Sequence, residues 1–360
     1  MNTRVSKRYA QTVFSAFALS VLSITASAQE GHAQDKLYVL SSIKPVHSLV
    51  AMVTGDLANS EIIVTGAASP HTYALAPAQA RNIQRADAIF WVGEDLEAFL
   101  EKPLATIGAR ATLIELIETP GLQKLKFRER GAFEKHDDHD HDDDDDDHDD
   151  DDHDDDHGHD DDHDKHHDHD EDHDDGHDHD DDHGNHDDHD GFDPHIWLSP
   201  DNAKRILAYI ASALGDLDPD NKAAYIANAR AAMQDIDQLT DAITDNLSPI
   251  KNGGFLLFHD SFQYFEHAFG LAASGAISIH PEVAPGARRI AEIRRLLRKR
   301  NVRCVFTEPQ FDAKMVDVIL QGTGKKAVEI DPLGAALPQG DTLYFELMQA
   351  MSASFRKCLG

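Results

Sequence analysis

The sequence predicts an α/β protein of two lobes, each a parallel sheet flanked by helices, joined by a long rigid helix and interrupted by a disordered His/Asp-rich insert. Three observations predict it. Short β-rich runs alternate with helical patterns twice along the chain, and that alternation is the mark of βαβ units. A helical pattern of unusual length separates the two sets. The tract from His136 to Asp190 carries no apolar side chain, so it has nothing to bury against the entropy of ordering. The boundaries expected are a leader over residues 1–28, a first lobe over 36–217 broken by the insert at 136–190, a linking helix over 218–248 and a second lobe over 249–360.

In the first lobe, Leu37 to Ser41, Ile62 to Val64, Ile89 to Val92 and Thr112 to Ile114 read as strands. Helices are expected near Val46 to Val53, Pro77 to Ala86 and Leu96 to Ile107. Ser199-Pro200-Asp201 is a helix start, with Ser as cap and Pro in the first helical position. The next helix begins near Pro219. Its apolar positions Tyr225, Ala229, Met233, Ile236, Ile243 and Leu247 recur at three-, four- and seven-residue steps, the spacing of one helical face. Run to Leu247, it spans roughly 40 Å at 1.5 Å per residue, a stiff strut between two lobes. In the second lobe the strands are Phe255 to Phe258, Ala276 to Ile279, Val302 to Phe306 and Ala327 to Ile330. Helices are expected near Phe262 to Phe269, Ala287 to Arg300, Ala313 to Leu320 and Leu343 to Phe355.

The leader begins with Arg4, Lys7 and Arg8, continues apolar from about Ala10 to Ile24, and ends in Ala26-Ser27-Ala28. This is the layout of a secretory signal peptide. The apolar stretch is shorter than the ~20 residues a membrane anchor needs, so a soluble, exported protein cleaved near Ala28 is expected. Two cysteines, Cys304 and Cys358, remain in it. An even count in an exported chain favours pairing over two separate buried thiols.

The formal charge of −33 over 360 residues is almost wholly local. The insert holds 17 His and 33 acidic residues, and the rest of the chain has 33 acids against 32 bases, a net charge of −1. A balanced body with an anionic insert argues against nucleic acid, whose phosphates call for clustered Lys and Arg.

Outside the signal segment of residues 1–28 and the tract, seven histidines remain: His32, His47, His71, His195, His259, His267 and His280. His259 directly follows an apolar strand. His71 follows a turn-rich exit from another, His195 stands just before the capped helix, and Asp331 closes the last strand. Ligands of open α/β sheets bind beyond the carboxyl ends of strands, so these four can converge in one cleft. Three imidazoles and one carboxylate suit tetrahedral zinc. Glu308 also ends a strand and is expected to support the site or contact the other lobe. His32 is assigned to a flexible leader, and His47, His267 and His280 to structural roles.

Together these residues resemble the zinc-specific periplasmic binding proteins of bacterial ABC importers, the ZnuA type within the TroA-like family. Ser69-Pro70-His71-Thr72-Tyr73, Asp193-Pro194-His195-Ile196-Trp197-Leu198-Ser199-Pro200, Phe258-His259-Asp260, Phe306-Thr307-Glu308-Pro309-Gln310-Phe311 and Asp331-Pro332-Leu333-Gly334 stand in the family's order. The resemblance implies a monomer with a metal held between two bridged lobes, His71, His195 and His259 as ligands, and Asp331 as candidate fourth. The Cys304–Cys358 pairing and the His/Asp-rich insert also fit it. Some members carry Glu immediately before the first ligand; here that residue is Pro70, which leaves the fourth position to Asp331 or water, with Asp331 favoured. Manganese-binding relatives have a carboxylate where His259 stands, so position 259 decides the metal.

The activity implied is binding rather than catalysis: Zn2+ enters the cleft, and the loaded protein docks on a membrane permease driven by a cytoplasmic ATPase. The insert is expected to capture zinc weakly or to sense it, since neutral imidazoles bind the ion and carboxylates concentrate it, with a solvated insert of no transport role as the third reading. Two other classes of function compete with this one. An exported zinc hydrolase would use a zinc-bound water with Glu308 as base, and a calcium- or mineral-binding protein would act through the tract alone, leaving the folded lobes without a task.

Overall fold

In a computed structural model of the protein the described residues are 36–128, 191–250, 253–278, 285–299, 302–312 and 314–360. The leader, the His/Asp tract, His32 and His280 lie outside them.

Both sheets are four-stranded and parallel. The first has strands β1 (Tyr38–Ser41), β2 (Asn59–Ile62), β3 (Ala88–Trp91) and β4 (Thr112–Glu115) in the order β2-β1-β3-β4. The second repeats that order one set later, as β6-β5-β7-β8, from β5 (Gly254–His259), β6 (Ala276–Ser278), β7 (Val302–Thr307) and β8 (Lys326–Glu329). In each sheet the order reverses beside the first strand of the set, and the carboxyl ends of the two strands flanking such a reversal open onto a crevice. That places the ends of β5 and β7 side by side.

The helices are α1 (Lys44–Thr54), α2 (Pro77–Arg85), α3 (Glu94–Thr106), α4 (Pro200–Leu217), α5 (Lys222–Leu247), α6 (Gln263–Phe269), α7 (Ala287–Lys299), α8 (Lys314–Leu320) and α9 (Leu343–Leu359). The Ser199 hydroxyl accepts from the Asn202 amide at 3.2 Å, the N-cap its sequence position calls for. The long helix starts later than Pro219: residues Pro219–Asn221 form a single 3-10 turn, and the Asp218 carboxylate behind them accepts from the Tyr225 hydroxyl at 2.8 Å. Its buried stripe is Tyr225, Ala229, Ala232, Ile236, Leu239, Ile243 and Leu247, with Met233 at the margin. This face packs along α4 and touches both α1 and α9, so one helix lies against elements of both sheets.

Strand β2 also departs from expectation, running Asn59–Ile62 rather than Ile62–Val64. It is a half-exposed edge held by backbone pairing with β1, so its polar residues carry no apolar signal. Ile63 and Val64 still donate to the carbonyls of Ser41 and Ser42 at 2.9 and 2.8 Å, which guides the chain off the sheet end.

Most buried apolar residues belong to one continuous cluster that runs from β1 and α1 through α4 and α5 to β5 and α9. A smaller one lies under α7 and α8 and is built on Leu256, Phe258, Ile293, Val305 and Ile319. Cys304 of β7 and Cys358 of α9 are disulfide-bonded, with Cα atoms 5.6 Å apart. In the chain-entropy picture a loop of 54 residues closed this way stabilises the fold by about 4 kcal/mol.

Three polar clamps tie the last segment of the chain to segments that precede the second sheet. Lys44 at the start of α1 donates to the carbonyls of Gly334, Ala335 and Leu337 at 2.7, 3.0 and 2.6 Å. The Trp197 indole donates to the Pro332 carbonyl at 3.0 Å. The Tyr344 hydroxyl donates to the Trp197 carbonyl, also at 3.0 Å. Fully buried Trp197 and Tyr344 thus satisfy their polar ends across the junction.

Candidate metal centre

His259 is the last residue of β5 and only 5 % exposed. Because β5 neighbours β7, its ring meets Glu308, which directly follows β7: His259 Nδ1 lies 2.9 Å from Glu308 Oε1. His195 enters a 3-10 turn at Ile196–Leu198, and its Nδ1 lies 2.7 Å from Oδ1 of Asp193, an oxygen that also accepts the His195 amide at 2.9 Å. A carboxylate accepts only, so each ring is the Nδ1–H tautomer and presents Nε2 as a lone pair. His71 stands in the 3-10 turn Pro70–Thr72, packed against α3, and Tyr73, which follows that turn, meets Phe99 in a tilted ring contact with centroids 5.1 Å apart.

The three rings face one another, with centroids 5.6 Å apart for His71 and His195, 5.8 Å for His71 and His259, and 5.3 Å for His195 and His259. One ligand nitrogen from each lies within 4.8 Å of the other two, and among the described residues no other group of His, Cys, Asp or Glu is gathered this way. Nε2 of His71 and of His259 are buried and without a hydrogen-bond partner. Buried polar atoms are almost always paired, so orphaned nitrogens converging on one point fit a cation. The cavity between them is small, about 10 Å3, and Leu96, Trp197, Phe311 and Leu333 are among the residues that wall it.

Burial holds the His71 and His195 imidazoles well below their usual range, and the neighbouring rings add to it, so both are neutral and ready to ligate. For His259 burial pulls the same way, but the Glu308 carboxylate outweighs it and the net shift is upward. Burial also raises Asp193, to about 6, partly offset by the His195 amide.

The expected fourth ligand, Asp331, is not brought into this group. Its Oδ1 accepts from the Leu333 amide at 3.0 Å and from Gln310 Nε2 at 2.8 Å, and its Oδ2 accepts from the Ala335 amide at 2.5 Å. The carboxylate is spent on the turn it opens. Glu308, expected to support the site or to contact the other lobe, lies against the His259 ring. His47 is buried with Nε2 3.2 Å from the Ser60 hydroxyl, and His267 lies near Gln123 at 3.4 Å; neither belongs to the cluster.

Sequence reasoning did not assign Asp193 its role. Its signal was the spacing, a carboxylate two residues before a candidate ligand. Nor did it assign one to Arg128, whose guanidinium donates to Asp260, next to His259, and to Glu266 at 2.9 Å. Arg128 is the last described residue before the tract. Lys126 and Phe192 pair as an antiparallel bridge, so the chain leaves for the tract and returns at one place, and Asp193 follows directly.

The family model for the ZnuA zinc-uptake complex component A, periplasmic, matches residues 39–358. The chain belongs to this family. The high-affinity zinc uptake system protein ZnuA of Brucella abortus (strain 2308) is 45 % identical over 323 residues, covering 89 % of this chain and 91 % of that protein. Among solved structures, a crystal structure of ZnuA superposes with a TM-score of 0.66 at 22 % identity, covering 91 % of this chain and all of that one. FpvC of Pseudomonas aeruginosa in complex with Mn2+ gives the same TM-score at 17 % identity, covering 90 % and 98 %. ZnuA and the manganese-bound FpvC thus share the fold with this chain. An all-imidazole set suits zinc better than manganese.

Proposed function

We propose that this chain is the periplasmic zinc-binding component of an ABC-type uptake system, exported by a leader cleaved near Ala28. It captures Zn2+ between His71, His195 and His259 and delivers it to a membrane permease, behind which a cytoplasmic ATPase drives import. The observation that carries the reading is the convergence of three ring nitrogens within 4.8 Å, two of them on rings braced by buried carboxylates. Membership of the family and the zinc-uptake names of its relatives support it. A cavity of about 10 Å3 beside the rings favours an ion over the substrate a hydrolase would have to admit.

In this reading the His/Asp tract of residues 136–190 is a capture or sensing device, rooted at Arg128 and Asp193 beside two of the three ligands. Competitive titration with zinc, manganese and calcium tests the centre. The wild type is expected to show one tight equivalent for zinc, weaker binding of manganese, and only loose binding of calcium. His259→Ala loses the tight equivalent and keeps the loose ones of the tract. Retention of tight zinc by that variant would overturn the assignment. Deletion of residues 136–190 is expected to leave the tight equivalent and remove the rest; unchanged stoichiometry would dispose of the capture role.

A further inference from the structure

Besides the imidazoles, three polar atoms of residues lining the cavity are buried and without a partner: Ser69 Oγ, Glu308 Oε2 and Gln310 Oε1. Gln310 is the informative one, because its amide cannot turn over. Its Nε2 faces Asp331, and Asp331 accepts from the backbone amides of Leu333 and Ala335 on its two oxygens. A group that accepts from two N–H donors needs a donor from Gln310 as well, so the NH2 side is committed to Asp331 and the carbonyl side is left for the cavity.

Three imidazoles leave a zinc ion one ligand short of its usual four. Asp331 is held away from that place by its own turn, and no other carboxylate joins the three rings among the described residues. A water on the cation would present its O–H groups as strengthened donors to its surroundings, and a buried carbonyl oxygen with no partner is the acceptor such a donor requires.

The geometry points to Gln310 as the residue that holds a water in the fourth position of the bound ion, with Asp331 as the positioning residue that aims its amide from behind. The inference rests on the zinc-binding reading and sharpens it. A neutral amide accepts a hydrogen bond without taking the proton, so the ligand stays water and leaves easily. The ion is then gripped by three rings and closed off by a water that can be exchanged for a permease group at delivery.

The test is a chelator-competition titration with Zn2+ on the full chain, in wild type, Gln310→Leu, Asp331→Asn and the double variant, with the visible spectrum of the Co2+-loaded forms. Gln310→Leu keeps the volume and removes the acceptor, and is expected to weaken tight zinc binding about tenfold, the scale of one hydrogen bond to a charged assembly. Asp331→Asn is expected to cost a similar factor alone and little more in the Gln310→Leu background, because both act through one oxygen. The Co2+ spectrum should change in Gln310→Leu while the melting temperature of the metal-free protein does not, a pattern that a packing defect cannot produce. A Gln310→Leu variant that binds zinc within twofold of wild type with an unaltered Co2+ spectrum would overturn the inference. So would an Asp331→Asn cost that is undiminished in the Gln310→Leu background, which would mark Asp331 as a direct ligand. If the wild type itself shows no tight zinc, the zinc-binding reading fails first and this inference falls with it.

Discussion

His195 and His259 differ from His71 in how the chain holds them. The first two rings are 5 % exposed, fixed to the start of a capped helix and the end of a central strand, and each donates Nδ1–H to a buried carboxylate. His71 is more exposed as a residue than the other two, rides on a 3-10 turn beyond a half-exposed edge strand, and has no carboxylate brace among the described residues. The difference divides the centre into a rigid pair and a looser third arm. Such a division suits a carrier, which must hold an ion tightly and still part with it. Removing a ring of the rigid pair should therefore do the most damage: His259→Ala is expected to lower zinc affinity by far more than the ~10–100-fold that losing an outer partner costs, and His71→Ala by less than His259→Ala. Equal losses in a competition titration would erase the distinction.

The braces come next in size. Glu308→Gln keeps shape but removes the charge that fixes the tautomer and raises the basicity of His259, and Asp193→Asn does the same for His195. Each is expected to cost about 10–100-fold in zinc affinity, with the metal-free melting temperature little changed. If both variants bind as tightly as wild type, the carboxylates serve packing only.

The two regions were not equally legible in the sequence. Strand-end placement marked His259, because it directly follows the four-residue apolar run Phe255 to Phe258, and the repeated βα alternation marked both sheets. Glu308 could be assigned to support the site because it too closes a strand, and the β5–β7 adjacency that joins it to His259 follows from the strand order. Asp331 was expected to close a strand in the same way, yet β8 stops at Glu329 and the Asp331 side chain turns toward Leu333 and Ala335, whose backbone amides a carboxylate opening a turn readily caps. Which way a side chain faces after a strand depends on the local turn, and periodicity does not encode that. Arg128 was illegible for another reason: its partners lie more than 130 residues on, and nothing local distinguishes it from any solvated arginine.

The same asymmetry sets the pH response. A proton on a ligand nitrogen competes with the ion, so affinity falls as pH drops through the pKa of each ring. The raised pKa of His259 puts its step above the ordinary imidazole value of about 6.5, whereas His71 and His195, both lowered, stay neutral through that range. Zinc uptake near pH 6.5 should thus release close to one proton, measurable by calorimetry in buffers of different ionisation enthalpy. Release approaching three would mean that all the rings titrate alike and that the rigid pair has no special environment. Glu308→Gln should move the step downward by removing the charge that raises it.

The smallest expected effect concerns how the rigid pair is tied to the root of the tract. The Arg128 guanidinium joins the segment before the tract to Asp260 and Glu266, while Gln263 of α6 donates to the Lys126 carbonyl at 3.0 Å and the Tyr264 hydroxyl accepts from the Leu125 amide at 3.0 Å. Arg128→Ala leaves two largely buried carboxylates facing each other without their cation, so the loop carrying His259 should loosen. Because the ring keeps its bond to Glu308, the loss in zinc affinity should be only a fewfold, read chiefly as a faster dissociation rate in a chelator chase. Arg128→Lys restores charge but not the forked geometry, and should recover part of it. A dissociation rate unchanged in both variants would show that the root of the tract and the centre are mechanically independent, and would confine any influence of the tract on the centre to the ions it concentrates.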